Sequence, residues 1–313
     1  MKPVTVGLIG AGFHARSVHI PCIDLVPQLR LGAIATSREE TAREAAQRYR
    51  VTAYASYQEL IERADVEAVI VATPANVFDS VCRMAVEHGK HVLVETGGIG
   101  TVPVARELLA LAKKNRLTVQ VAYSLRYAAP FDILKKHSDR AAGARIFIYD
   151  YYPFLSHIYN LSLYFSGPVE RVAGAVRQPA GLTALLKFKN GDTATIIGRS
   201  VSNCSIGLES VTVSTETFYG AVEGRTRVRI VENMKSVAIA DWSTESSAGL
   251  SFEPHVFGAQ MLKSSGYMPQ LSAFAAAIRE GTPPRSDLSD AIETHLLIEA
   301  INQKEQKDKG EAQ

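Results

Sequence analysis

The chain of 313 residues is poor in cysteine, with only Cys22, Cys82 and Cys204, all far apart. Three thiols so separated make neither a disulfide framework nor a metal-ligand spacing, and they fit a reducing, cytoplasmic setting. A surplus of one charge sign is also missing. The chain has 34 Lys and Arg against 32 Asp and Glu, a net charge of +2, so nothing draws it to nucleic acid or to an anionic membrane. No apolar run is long enough to span a bilayer. A strand-like segment begins already at Val4 and leaves no room for a signal peptide. Internal repeats and low-complexity segments are absent. With 46% hydrophobic residues, a chain of this length can bury two sizeable cores, which argues for two globular domains.

The most telling stretch is at the start. The apolar run Val4–Ile9 leads into Gly10-Ala11-Gly12-Phe13-His14-Ala15, and a helix-like segment follows. This is the spacing of a dinucleotide-binding turn. Gly10 permits the tight strand-to-helix turn, Gly12 lets backbone approach a pyrophosphate, and Ala15 allows helix to pack closely on strand. The N–H groups and positive dipole end of the helix then face the phosphates. At the end of the next strand stand Thr36, Ser37 and Arg38. A carboxylate there would hold a ribose 2′-hydroxyl; serine plus arginine suits a 2′-phosphate and favours NADP, with NAD as the second choice. The competing reading is a solvated Arg38 at a helix start.

The first part of the chain alternates strand and helix. Apolar segments Val4–Ile9, Leu29–Ala35, Ala68–Ala72, His91–Glu95 and Leu117–Ala122 read as strands buried on both faces. Helical patterns lie between them at His14–Val26, Glu39–Tyr49, Tyr57–Arg63, Asn76–His88 and Val102–Asn115. The pattern predicts a Rossmann-type parallel sheet over residues 1–122. Residues 123–313 read as a mainly antiparallel α+β domain. They begin with a strand at Ala144–Tyr149 and a helix at Leu155–Phe165, and continue as β-type runs from Val169 to Trp242. Asn190-Gly191 between two of these runs is a hairpin signal. Two helices follow, Pro269–Arg279 and Leu288–Asn302, and the charged stretch Gln303–Gln313 reads as a frayed tail.

Four further segments join the N-terminal turn: Ala72-Thr73-Pro74, the run Gly89–Glu95, Tyr123-Ser124-Leu125-Arg126-Tyr127, and His157-x-x-Asn160 ahead of Gly167-Pro168-Val169. Together they resemble the glucose–fructose oxidoreductase/inositol dehydrogenase/MocA (Gfo/Idh/MocA) family over nearly the whole chain. The resemblance implies an NAD(P)-dependent oxidoreductase of sugars, cyclitols and related carbonyl or imine compounds. It also implies sheet-to-sheet pairing into a homodimer or homotetramer. It places Gly10, Gly12, Phe13, His14, Ala15, Ser37, Arg38, Thr73, Pro74, Asn76, Glu95 and Arg126 at the cofactor, and His157, Tyr123 and Thr96 at the reacting centre.

The departures from the family pattern are equally informative. Where the family carries Glu-Lys-Pro the chain reads Glu95-Thr96-Gly97, so Thr96 replaces the ammonium that stabilises an oxyanion during hydride transfer. Where the family carries an aspartate four residues before the histidine, the chain has Pro153. His157 remains in register, and the segment between Asp150 and His157 is shortened. Glu95 either tethers backbone or lines the nicotinamide site. Tyr149 and Tyr151 share a strand face and read as aromatic core, with Asp150 a solvated carboxylate. Two functions follow. One is a reductase with an altered catalytic set, for which an iminium substrate would tolerate the missing lysine. The other is a non-catalytic nucleotide-binding sensor or partner subunit. No metal ligand set is expected.

Overall fold

The computed structural model describes residues 2–97, 100–151, 155–179, 181–199, 210–224, 227–233, 235–236 and 259–311. Pro153, Cys204 and Trp242 lie outside them, as does most of the expected strand at 236–242. In chain order the first elements are strands β1 (Val4–Ile9), β2 (Leu29–Ala35), β3 (Thr52–Tyr54), β4 (Ala68–Val71), β5 (His91–Val94) and β6 (Val119–Val121). The helices among them are α1 (Ile20–Leu25), α2 (Glu39–Tyr49), α3 (Tyr57–Arg63), α4 (Phe78–Glu87) and α5 (Val102–Lys114). Then come α6 (Ala129–Ser138), β7 (Ile146–Tyr151), α7 (Leu155–Ser166), β8 (Val169–Gln178), β9 (Gly181–Phe188), β10 (Thr193–Arg199), β11 (Ser210–Ser214), β12 (Phe218–Glu223), β13 (Arg227–Glu232) and β14 (Lys235–Ser236). The last elements are α8 (Ala259–Ser264), α9 (Tyr267–Glu280) and α10 (Leu288–Glu311).

Two compact units result. The first comprises residues up to Ser124 together with α8, α9 and the start of α10 through Ile292. The linear division at residue 122 does not contain this return of the chain. Its physical reason is apolar: Leu262, Leu271, Phe274 and Ala275 join the cluster that covers one face of β1, with Val4, Val6, Leu8 and Ile20. The sheet runs β3-β2-β1-β4-β5-β6, with every pairing parallel. Strands β1, β4 and β5 carry near-unbroken apolar runs with fully buried side chains, as a sheet covered on both faces requires. Strand order reverses between β1 and β4, which makes their carboxyl ends the place where such sheets bind ligands. Side-chain caps fix two helix starts, Ser56 accepting from the Glu59 N–H and Thr101 from the Val104 N–H. Burial pushes the Cys22 thiol up to about 12, so it stays protonated and unreactive.

The second unit holds the remaining strands in the order β14-β13-β12-β11-β7-β10-β9-β8. All neighbours are antiparallel except β7 and β10, which are parallel. The Asn190-Gly191 hairpin forms between β9 and β10, with Gly191 at φ +93°. Tyr149 is fully buried and stacked on Phe147, as aromatic core. Asp150 is not merely solvated: it accepts from the Arg199 Nε at 2.7 Å.

Three local expectations need correction. The helix expected at 14–26 is continuous through residue 25 but winds as a π turn over Ala15–His19 before α1. The helical pattern from Asn76 starts with a 3₁₀ turn, Ala75–Val77. The stretch from Gln303 is not frayed: α10 continues to Glu311 because its charges have partners on β8. Glu305 accepts from Arg177 Nε at 2.9 Å, and Asp308 accepts from the Ala175 N–H at 3.1 Å. Among the described residues, no helix is long and apolar enough to cross a membrane.

Candidate functional site

The carboxyl edge of the parallel sheet gathers most of the expected cofactor residues. Gly10 and Gly12 follow β1, Ser37 and Arg38 follow β2, Thr73 and Pro74 follow β4, Glu95 and Thr96 follow β5, and Tyr123 follows β6. The Gly10 N–H donates to the Ala35 carbonyl at 2.8 Å, which ties the turn to the end of β2 near Ser37 and Arg38. The two glycines do different work. Gly10 has φ +102°, and a Cβ there would lie 2.4 Å from the Ala72 carbonyl oxygen, so only glycine fits. A Cβ at Gly12 would meet nothing within 4 Å. The protein leaves that space open, and a pyrophosphate resting on the turn would fill it. Ala15 is buried and Phe13 is 80% exposed beside it.

At the end of β4 the Thr73 hydroxyl is buried without a hydrogen-bond partner. Pro74 and Asn76, on the 3₁₀ turn that follows, are exposed. Ser37 and Arg38 are exposed too, at the mouth of α2. An open glycine face, an orphaned buried hydroxyl and an exposed serine–arginine pair on one sheet edge fit a dinucleotide.

The structure adds a group that the sequence did not disclose. His19 Nε2 lies 2.7 Å from Glu95 Oε1, and His14 Nε2 lies 3.2 Å from the same oxygen. The two imidazoles meet edge to face at 5.1 Å, and the ring of Tyr267 flanks His14 at 5.6 Å. Burial by itself would raise the Glu95 carboxyl, but hydrogen bonds from His14 and His19 outweigh it and hold the group well below the usual carboxylate range. Glu95 thus pairs with His19 by a hydrogen bond and faces His14 within ion-pair range. His19 was not expected at all. Its signal is weak because residues five apart lie about 140° apart around an α-helix. Only the wider π turn between them turns both rings toward β5.

The second unit holds His157 half-buried on α7. One turn on, buried Asn160 accepts from Arg126 Nε at 2.6 Å and donates to Thr294 Oγ1 at 3.1 Å. The Arg126 guanidinium also lies 5.0 Å from the Tyr164 ring centre. Arg126 is buried, at 5% exposure. Tyr123 is buried in the core of the first unit, and Thr96 is half-buried in the turn after β5.

The Gfo/Idh/MocA profile, described as "Oxidoreductase family, NAD-binding Rossmann fold", matches residues 4–123. Those residues therefore resemble the NAD-binding Rossmann part of that family. An uncharacterized oxidoreductase of Escherichia coli (strain K12), YdgJ, is 31% identical over 132 residues, 42% of this chain and 38% of that protein. The chain therefore matches only about two fifths of that relative's length. A dTDP-3,4-didehydro-2,6-dideoxy-alpha-D-glucose 3-reductase of Actinomadura kijaniata is 25% identical over 335 residues, 96% of this chain and 95% of that one. Among solved structures, a 3-ketoreductase from Actinomadura kijaniata, crystallised with TDP-benzene and NADP, superposes with a TM-score of 0.77. Its identity is 21%, with 97% of this chain and 98% of that one covered. The Gfo/Idh/MocA architecture of a Rossmann unit and a sheet-rich unit is common to both chains.

Proposed function

We propose that the protein is an NADPH-dependent reductase of a small carbonyl compound, sugar-like in character. The observation that carries this reading is the serine–arginine pair exposed beyond β2, beside a glycine turn with open space at Gly12. The full-length likeness to a keto-sugar 3-reductase supports the substrate class. A bound nicotinamide cofactor would supply hydride. The chain's own part is positional. The backbone of Gly10, Gly12, Phe13, His14 and Ala15 holds the pyrophosphate, and the side chains of Ser37 and Arg38 take the 2′-phosphate. Thr73, Pro74 and Asn76 flank the dinucleotide, with Glu95 toward the nicotinamide end. Thr96 supplies a hydrogen bond to the substrate. An imine remains in range of this chemistry, because Thr96 brings no positive charge to repel an iminium.

Nicotinamide fluorescence tests the cofactor reading. Arg38→Ala is expected to weaken NADPH binding roughly 10- to 100-fold, the worth of a charge-assisted hydrogen bond to phosphate, and to leave NADH unchanged. Equal losses for both would remove the 2′-phosphate role. Turnover of a panel of ketones, keto-sugars and cyclic imines by NADPH then tests the reaction. Tight binding with no oxidation across the panel favours a nucleotide-binding sensor or partner subunit, the reading that Thr96 in place of lysine also allows.

The sheet of the second unit supports a homodimer or homotetramer. Its outer face exposes Ile146, Ile148, Leu185 and Tyr219, while Phe147, Tyr149, Ala184 and Leu186 point to the core. Ile148 and Leu185 both neighbour Thr195 across the pairings, so they form a patch and not scattered singles. Ile148→Lys is expected to shift the protein to monomer in sedimentation velocity. An unchanged sedimentation coefficient would move the contact elsewhere.

A further inference from the structure

The proton that a carbonyl reduction needs has no lysine at position 96 to come from. The sheet edge instead carries three ionisable groups in contact: His14, Glu95 and His19. They belong to one unit, and His14 is itself part of the glycine turn. Their exposures differ in a useful way. The His14 side chain is 39% exposed, Glu95 is 21% exposed and His19 only 1%. One ring can exchange protons with water and ligand; the other is sealed.

We propose that His14, held by Glu95 and braced by His19, is the proton donor of the reduction. The role rests on the reductase reading above. As hydride from NADPH adds to the carbonyl carbon, the C=O π pair moves to oxygen. That oxygen takes a proton from the protonated His14 ring, whose N–H bond breaks as the O–H bond forms. The products are the alcohol, NADP⁺ and neutral His14, which water then reprotonates. The ionised carboxylate favours the imidazolium form of the ring beside it. In place of the ammonium, the chain thus offers a histidine ring whose positive form the carboxylate can pair. The buried His19, 2.7 Å from the same oxygen, fixes the Glu95 rotamer and is a positioning residue. Other ionisable groups on the packed elements are Arg16 on the π turn, Asp24 on α1, and Lys263, Tyr267 and Arg279 on α8 and α9. Arg279 is engaged with Glu67, and Tyr267 touches His14 through its ring edge.

The same three donor atoms lie within 4.8 Å of one another, close enough to share a cation. The His19 Nδ1 argues against that use. It is buried without a partner, whereas the second nitrogen of a metal-bound histidine is normally hydrogen-bonded.

Two readouts decide the matter on the full chain. The first needs no turnover: ring-proton NMR titration of the unliganded protein follows His14 in the native chain and in Glu95→Gln. A His14 midpoint lowered in Glu95→Gln supports the pair; an unchanged midpoint overturns it. The second is kinetic. His14→Gln is expected to lower kcat by roughly 100-fold or more, with NADPH affinity by fluorescence within about twofold. Glu95→Gln should move the high-pH limb of kcat/KM, where a general acid is lost, to lower pH. His19→Gln should reduce kcat less than His14→Gln, without moving to a new rate-limiting binding step. If His14→Gln keeps full kcat while His157→Gln loses it, the donor is His157 and the assignment to His14 falls. Zinc retained through dialysis and lost in His14→Gln would replace the proton role with a metal site. Tight NADPH binding with no carbonyl reduced would overturn the reductase reading and this role together, while the NMR titration would still report the His14–Glu95 contact.

Discussion

Gly12→Val is expected to lower NADPH affinity at least roughly 100-fold while leaving the melting temperature within about 2 °C of the native protein. The expectation comes from what surrounds the residue. No atom of the folded chain lies within 4 Å of a Cβ placed there, so the fold has no stake in the absence of a side chain. A pyrophosphate on the turn does. A branched side chain would hold the phosphate oxygens off the backbone N–H groups, and loss of two charge-assisted hydrogen bonds is worth about 3 kcal/mol, or 100-fold. Gly10→Ala should behave in the opposite sense. Its φ of +102° and the Ala72 carbonyl oxygen 2.4 Å from the added carbon make it a folding defect, with about 1–3 kcal/mol from the backbone conformation alone. Thermal melts together with NADPH titrations separate the two. If Gly12→Val binds NADPH as tightly as the native chain, the turn is a plain strand–helix connection.

Asp192→Ala is expected to cost about 3–5 kcal/mol of stability, the usual loss when one member of a buried ion pair is removed. Asp192 follows the hairpin turn between β9 and β10 and is 2% exposed. It accepts from the Arg145 N–H at 2.9 Å, from Arg145 Nε at 3.0 Å and from a terminal guanidinium nitrogen at 2.7 Å. Asn190 Nδ2 adds a further bond at 2.8 Å. The carboxylate thus ties the start of β7 to the hairpin beside it. Removing it leaves a guanidinium that is itself largely buried, with Asp139 and the Phe165 carbonyl as its remaining partners. Asp192→Asn should cost less, since an amide oxygen still accepts from the Arg145 backbone. Urea unfolding measures both; a loss below about 1 kcal/mol for Asp192→Ala would show that water or Asp139 compensates. Burial would raise the Asp192 carboxyl, but the Arg145 bonds outweigh it and hold it below its ordinary value. Because the folded value is depressed, the stabilisation is complete above the unfolded value of about 3.9 and is lost as pH falls below it. The unfolding free energy of Asp192→Asn should therefore fall less steeply as pH is lowered.

Much of the first unit was legible because its strands are short, apolar and regularly spaced. The bounds of β1, β2, α2 and α3 coincide with the sequence patterns, and the remaining parallel strands differ by a residue or two at their ends. Strand β3 (Thr52–Tyr54) left no signal: two exposed residues and one half-buried tyrosine on a sheet edge carry no hydrophobic run. Helix α6 was also missed, since Ala129-Pro130 at its start reads as a break, although proline is well placed in a first helical turn. The charged end of α10 looked unstructured because its supports, Arg177 and the Ala175 N–H, come from a strand more than a hundred residues earlier. Composition records the charges but not their partners.

The sequence by itself determined the parallel sheet, the glycine turn at its first strand, the absence of a carboxylate after the second, and the missing lysine at Thr96. Each of these is local, a matter of which residue follows which strand, and backbone geometry does the rest. Tertiary structure alone decided that α8 and α9 return to the first unit. It decided too that Arg126 lies buried against Asn160 and Tyr164, and that His14 and His19 share one oxygen of Glu95. The physical reason is the same in each case. These contacts join residues whose separation in the chain carries no period, and the histidine pair also needs a π turn that no hydrophobic pattern encodes.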